Sequence, residues 1–431
     1  MRQIWSTLLC AVLLAAGAAA QEPLSLQALI EEALQHNPEI HRASRTWEAA
    51  RTRPPQEGAL PDPMLQVGLE RNPVFVREIN VLTEDHLHLL PDLGMEEPVE
   101  AMNMLSISVA QEIPYPGKRS LRRQVAEKNA EAEAARRDAA RNTVTAQVKE
   151  AYYDLALADQ GLAVVARTRR LLEDFSATAL ARYRVGQASQ QEVLKAQVEL
   201  SALRGREALL HQQGEAAGAQ LDALLNRPAA AMPGQPDTLP APRSLPPLEV
   251  LVERAREHHP GLQAQRRQVE AARLQVALMA KEYRPDLTLS AGWKTDGGLD
   301  DYFNVMIAAP LPLQRERRRS SVQGARAEQE ASQDELRAAE ALLVARIRDL
   351  ASQANAASRL VELYRQALIP QARFALDAGL AGYRVGQVDL LMLLDNSRAL
   401  LEDELMVQDQ LAAHHRALAQ LEEAVGASLD P

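Results

Sequence analysis

The chain has 431 residues, 46% of them hydrophobic but only 3% aromatic, and a net charge of −10 from 48 basic and 58 acidic side chains. The length allows two or three ordinary domains or one elongated architecture, and the acidic balance excludes a general nucleic-acid-binding surface. Too few aromatics are present for an ordinary compact core, and the bulk of Ala, Leu, Glu, Gln and Arg predicts long helices packed as coiled coils.

Residues 1–20 are expected to form a secretory signal peptide: Arg2, an apolar run from Leu8 to Ala16, and Ala18-Ala19-Ala20 as a small-residue cleavage site before Gln21. Cys10 is the single cysteine and lies in that run, so no disulfide is expected in the mature chain. Thr7-Leu8-Leu9 before it lack the small residue that precedes a lipidated cysteine. No later segment reaches ~18 apolar residues, so no membrane-spanning helix is expected.

From there the chain passes twice through one plan. The helical stretch LQALIEEALQHNPEIHRASRTWEAA (Leu26 to Ala50) resembles LEVLVERAREHHPGLQAQRRQVEAA (Leu248 to Ala272). Each is followed by alternating segments, a proline-punctuated junction (EIPYPGKRSLRR, then PLPLQRERRRSS), a very long helical region, the pentapeptide YRVGQ and another long helix. The offset between copies is 222 residues at the first match (Leu26 to Leu248) and 200 at the last (Tyr183 to Tyr383). The first copy therefore carries an insertion, assigned to 71–105. Residues 21–244 are read as the first repeat and 245–431 as the second, joined by a proline-rich linker at Asn226 to Pro247.

Four segments alternate with period two and predict strands: Leu65 to Glu70, Ser106 to Gln111, Leu287 to Lys294 and Tyr302 to Ala308. In the first, Leu65, Val67 and Leu69 oppose Gln66, Gly68 and Glu70. In the last, Phe303, Val305 and Ile307 oppose Asn304 and Met306. An apolar face against a small or polar one is the weak signature of an outer-membrane β-barrel, and it also fits a half-buried sheet. In a barrel, four strands cannot close, and open edges are not tolerated in lipid. Several subunits would have to contribute, and the pattern allows two copies with eight strands or three with twelve.

After the strands come two basic clusters: Lys118, Arg119, Arg122 and Arg123, then Arg315, Arg317, Arg318 and Arg319. In the barrel reading they lie at the periplasmic membrane boundary, where anionic headgroups are available. A solvated helix start is the other reading. The insertion 71–105 becomes an external loop holding His86, His88, Met95, Met102 and Met104. Imidazole and thioether suit soft or borderline metal ions, although a loop that merely contains these residues explains them too.

Lys118 to Arg182 contains no proline, and its 65 residues would give roughly 100 Å of helix. Leu343, Ile347, Leu350, Ala354, Ala357, Val361, Tyr364 and Leu368 keep unbroken 4-3 spacing, a coiled-coil seam echoed from Val148 to Leu172. Gly186 and Gly386 interrupt these helices where a left-handed residue ends a helix, and Ser189 or Asp389 follows as a cap for the next. Both copies of YRVGQ are read as tips where the chain reverses.

This order of motifs, with QEIPYPGKR, DPMLQVGLE and the paired YRVGQ tips, resembles the TolC-type outer membrane efflux protein family over essentially the whole mature chain. The heavy-metal (CzcC/CusC-like) branch is the most similar in look. The resemblance implies a mainly α fold with a small β part, in which a homotrimer closes a 12-stranded barrel in the outer membrane above a periplasmic helical tunnel. It also implies a periplasmic adaptor docked on the tips and an inner-membrane pump of the RND class. The family gate uses acidic rings at the ninth and twelfth positions after the second tip tyrosine. Those positions hold Met392 and Asp395, so one ring of acids would remain, unless Asp395 instead pairs with Arg398. The matching positions of the first copy are Glu192 and Lys195.

The repeated, exposed tips are the expected adaptor-docking surface: Tyr183, Arg184, Val185, Gly186, Gln187 and Glu192 with Tyr383, Arg384, Val385, Gly386 and Gln387. The pairs His258-His259 and His414-His415 point in different directions on their helices and are not read as metal ligands. No phosphate loop, nucleophile elbow or HExxH spacing occurs, so passive conduction without a cofactor is expected rather than catalysis. Heavy-metal cations are the first expectation for substrate and organic drugs the second. A periplasmic adaptor is the competing class, opposed by the two hairpins and the strand pairs.

Overall fold

The computed structural model describes residues 24–74, 99–228, 234–295, 301–311 and 313–429. The expected signal peptide at 1–20 lies outside them, as do His86, His88 and Met95. The first pass comprises α1 (Leu26–His36), α2 (Pro38–Arg51), α3 (Arg53–Gly58), β1 (Met64–Val74), β2 (Val99–Ile113), α4 (Lys118–Arg184) and α5 (Gln190–Leu224). The second comprises α6 (Leu248–His258), α7 (Pro260–Lys281), β3 (Leu287–Thr295), β4 (Asp301–Ala308), α8 (Arg315–Leu363), α9 (Ile369–Arg384) and α10 (Leu390–Val425).

Both passes open on the same kink. Pro38 and Pro260 start α2 and α7, where a missing N–H costs nothing. The residue before each proline caps the new helix. Asn37 Oδ1 accepts from Glu39 N at 2.8 Å, while Nδ2 donates to Leu224 O at 2.9 Å. In the second pass His259 Nδ1 takes over, accepting from Leu262 N at 3.1 Å.

Two compact units form, and each draws on both passes. One comprises Met1–Glu48, Glu131–Arg266 and Asp334–Pro431, and the other Ala49–Ala130 and Arg267–Gln333. The first is helical. Its core is small side chains in register: Val148, Ala151, Ala158, Val165 and Leu172 on α4 are buried, as are Leu343, Ile347, Leu350, Ala354, Ala357 and Val361 on α8. The seam does not run unbroken to Leu368 as its spacing predicts. Tyr364–Leu368 form a π-helical turn, with Ile369 N bonded to Tyr364 O. The cause is Pro370, which has no N–H to offer and whose ring would press on the carbonyl four residues back. An extra residue in the turn relieves both.

The segment between the passes is tied down along the helices. Leu24 N donates to Gln235 O (3.0 Å), Asp237 N to Tyr152 Oη (3.0 Å) and Arg243 N to His414 Nε2 (3.1 Å). His414 Nδ1 lies 2.9 Å from Ala354 O, and His415 Nε2 lies 3.0 Å from Pro240 O. Because Nε2 of His414 accepts, its proton sits on Nδ1 and the ring is neutral. Burial pushes the pKa of both rings down, Arg243 adds to this, and the bonds to Ala354 O and Pro240 O only partly oppose it. Burial also lowers His259.

A lowered folded-state pKa stabilises above the unfolded value, about 6.5, and that contribution is lost as pH falls below it. The helical unit should therefore lose thermal stability between about pH 6.5 and 5. His414→Gln, which keeps one donor and one acceptor, should flatten that dependence. A wild-type melting temperature flat over the same range would contradict it.

The second unit holds one antiparallel sheet in the order β1-β2-β3-β4. Its strands exceed the alternating segments of the sequence. β1 continues to Val74 and β2 begins at Val99, so 71–74 and 99–105 are strand rather than external loop. Met102 pairs with Asn72 and Met104 with Glu70, which corrects the loop assignment of both methionines. The reason is the ladder itself: β1 and β2 satisfy each other's backbone groups beyond Thr295, where β3 ends.

Candidate functional site: the sheet faces and the helical tips

Register makes the sheet two-faced. One row across all four strands reads Leu65, Val109, Ala291, Val305, and the next in-phase row reads Val67, Ile107, Trp293, Phe303. The rows between read Gln66, Ser108, Gly292, Asn304 and Gly68, Ser106, Lys294, Tyr302. Leu65, Val67, Ile107, Val109, Trp293, Phe303 and Val305 are all exposed, and among the described residues no helix covers them. The other face mixes glycine, serine and asparagine with Lys294, Tyr302 and Met306. A Cβ on Gly292 would fall 2.7 Å from Ser108 Cβ and 3.0 Å from Ile107 O, so the strand backbones approach too closely for a side chain there.

Beneath the sheet, Lys118 opens α4 and is only 1% exposed. Its Nζ donates to Arg284 O at 2.9 Å, Asp286 at 3.0 Å and Glu282 at 3.3 Å. All three protons are used, so Lys118 does not face headgroups as its place in the sequence suggested. Asp286 also accepts from Tyr115 N at 2.6 Å. Burial pushes this carboxyl up, but the Tyr115 N–H and Lys118 outweigh it and hold it below its usual range. Arg119 gives Nε and Nη2 to Gly58 O, Arg122 reaches Glu282 at 3.7 Å, and Arg123 pairs with Glu127 at 2.8 Å. Lys118, Arg119 and Arg122 thus fasten the start of α4 to the end of α3 and to the segment between α7 and β3, while Arg123 pairs within α4. The second behaves differently: Arg315, Arg317, Arg318 and Arg319 form no ion pair among the described residues, and all but Arg318 are exposed.

The two tips share one backbone design. Gly186 and Gly386 both adopt φ +75°. Gly186 N donates to Tyr183 O and Gln187 N to Arg182 O; Gly386 N donates to Tyr383 O and Gln387 N to Gly382 O. This is the Schellman closure, which satisfies the last carbonyls of α4 and α9. Restart follows three residues later. Ser189 forms a capping box with Glu192 before α5, and Asp389 accepts from Met392 N at 3.0 Å before α10. Pairing of Arg169 with Glu207 at 3.0 Å confirms that α4 and α5 run back along each other.

The side chains break the symmetry. Tyr183 is 44% exposed, whereas Tyr383 is 3% exposed. Arg182 covers Tyr383, its guanidinium 4.7 Å from the ring centroid and Nη1 donating to Tyr383 O at 3.0 Å. Burial pushes the Tyr383 phenol up despite that guanidinium. The cause is one difference between the copies. Arg182 corresponds to Gly382, where a Cβ would meet Val388 Cγ2 at 2.7 Å. Tyr383 therefore leaves the expected exposed surface and becomes one contact between the two hairpins, beside the Arg167–Glu404 pair at 3.3 Å. Sequence comparison of the copies contained the signal, RYRVGQ against GYRVGQ, but Arg182 lay just outside the shared motif.

Of the remaining tip residues, Arg184, Val185, Gly186, Gln187, Arg384, Val385, Gly386 and Gln387 are exposed. The Glu192 carboxylate is occupied by the capping box. Met392 and Asp395 are exposed on the first turns of α10. Arg398 bonds Glu402 at 3.0 Å rather than Asp395, and Lys195 pairs with Glu199 at 3.8 Å. Among the described residues no group of His, Cys, Asp or Glu is placed to hold a metal ion, and no helix is long and apolar enough to cross a membrane.

Known proteins share this arrangement. The family model described as outer membrane efflux protein matches twice, over residues 29–227 and 251–427. The cobalt-zinc-cadmium resistance protein CzcC of Cupriavidus metallidurans is 24% identical over 73% of this chain and 75% of its own. The outer membrane protein VceC of Vibrio cholerae superposes with a TM-score of 0.77 at 20% identity, covering 94% of this chain and 97% of that one. CusC superposes with a TM-score of 0.77 at 15% identity, covering 94% and 93%. The chain belongs to the outer membrane efflux protein family of TolC-type channels, proteins of the outer membrane that conduct rather than catalyse.

Proposed function

We propose that three copies of the chain close a 12-stranded barrel and form the exit duct of a tripartite efflux system. The observation that carries this reading is the sheet: an exposed apolar face, a more polar face, and two unpaired edges at β1 and β4. Lipid tolerates neither edge, and a closed membrane barrel needs at least about eight strands. Partners follow from the same reading: a periplasmic adaptor on the exposed tip residues and an RND-type inner-membrane pump that supplies the energy. Heavy-metal cations are the proposed cargo, supported by the resemblance to a cobalt-zinc-cadmium resistance protein. A deletion strain newly sensitive to cobalt, zinc or copper supports that cargo; sensitivity confined to organic drugs replaces it with the drug-duct reading.

Asp395 is the proposed gate residue, with Met392 one turn before it. Exposed and not bonded to Arg398, which pairs with Glu402, its carboxylate would form a three-fold acidic ring that attracts cations. Asp395→Ala is expected to lower the cation-to-anion permeability ratio several-fold in planar bilayers. An unchanged ratio rejects the ring.

A further inference from the structure

The two basic helix starts are chemically unequal. Cations are unfavourable at a helix N-terminus, where the backbone already presents partial positive charge. At α4 the cost is offset within the chain, since Glu282 and Asp286 take up Lys118. At α8 four arginines crowd the first five residues with Glu316 as the only acid, and none of the four has an ion-pair partner among the described residues. Nη1 of Arg318 is buried and makes no hydrogen bond. The Arg318 side chain itself lines a cleft of ≈ 270 Å³ with Met279, Glu282, Gln314, Arg317 and Ser321. The one carboxylate in the wall, Glu282, already serves Lys118 and Arg122. Ser321 Oγ already donates to Arg317 O at 3.0 Å, so what remains is two guanidinium groups and an amide, a donor set suited to phosphate.

Apolar surface adjoins it. Leu311 and Leu313 are 76% and 82% exposed, and two tight bonds, Leu313 N to Leu311 O and Arg315 N to Leu313 O, hold them directly against the start of α8. Tyr115 and Tyr283 are exposed at the same end of the sheet, as amphipathic rings are at a membrane interface. We propose that the Arg317–Arg318 cleft is a binding site for the phosphate of an anionic glycerophospholipid in the periplasmic leaflet, with Leu311 and Leu313 against its acyl chains. This rests on the membrane reading of the sheet and goes beyond it by naming a ligand and a pocket.

The test uses the full assembled protein in detergent, titrated with phosphatidylglycerol, phosphatidylcholine and inorganic phosphate and read by native mass spectrometry. Phosphatidylglycerol should bind in preference to phosphatidylcholine, and Arg317→Gln/Arg318→Gln should weaken it about tenfold or more. Arg317→Lys/Arg318→Lys should retain most of the affinity, and Arg319→Gln, outside the cleft, should retain all of it. Equal binding of the two lipids, or no loss in the glutamine variant, overturns the proposal. So does displacement by millimolar inorganic phosphate, which marks a free-phosphate site, or dissociation of the glutamine variant with no lipid preference in the wild type, which marks a contact to a second copy. Bilayer conductance of the same glutamine variant separates this from the channel reading, because an intact duct lacking the lipid should still conduct.

Discussion

Replacing Val305 with arginine is expected to abolish outer-membrane assembly, while the same change at its neighbour Met306 is expected to be tolerated. The two residues are 61% and 56% exposed on one strand and differ only in the face they occupy. In water both substitutions would be nearly neutral, because solvated arginine costs little at an exposed strand position. In a bilayer an outward arginine near the midplane costs about 2–4 kcal/mol per chain, repeated in every copy of a closed barrel. An inward one meets water in the lumen. Heat-modifiable fractionation of outer membranes reads the outcome directly. Equal behaviour of Val305→Arg and Met306→Arg would remove the lipid-facing assignment of the Val67, Val109 and Phe303 face.

Lys118→Met should be the most damaging substitution at the junction below the sheet. The methionine fills the same space but leaves Asp286 without its cation, with Glu282 held only by Arg122 at 3.7 Å. Removing one partner of a buried ion pair costs about 3–5 kcal/mol; with both carboxylates partly solvated here, about 2–3 kcal/mol is expected. Glu282→Gln should cost far less, because Lys118 keeps Asp286 and Arg284 O. Thermal unfolding of the detergent-solubilised protein distinguishes them. A Lys118→Met variant as stable as wild type would mean that the cluster is not what fixes the β2–α4 turn.

Local chemistry made much of this readable from the chain alone. The helix ends at Gly186 and Gly386, the caps at Ser189 and Asp389, and the strand faces each depend on residues within a few positions of one another. Features that depend on distant residues were not readable. Lys118 resembles any other basic residue until Glu282 and Asp286, more than 160 positions later, arrive beside it. Tyr383 is identical in sequence to Tyr183 but is buried in a core cluster with Leu376, Leu390 and Leu393, and Arg182, 201 positions earlier, reaches across to cover it. The extension of β1 and β2 escaped periodicity because pairing, rather than alternation, carries the ladder past Glu70. The π-helical turn could have been anticipated from Pro370, which stands two residues past the last seam position.

Copy number tests the central claim most directly. The native mass of the particle extracted from outer membranes should correspond to three chains, which supply twelve strands and leave no β1 or β4 edge exposed. A monomeric particle would contradict the account, because four strands with open edges cannot form a channel in lipid.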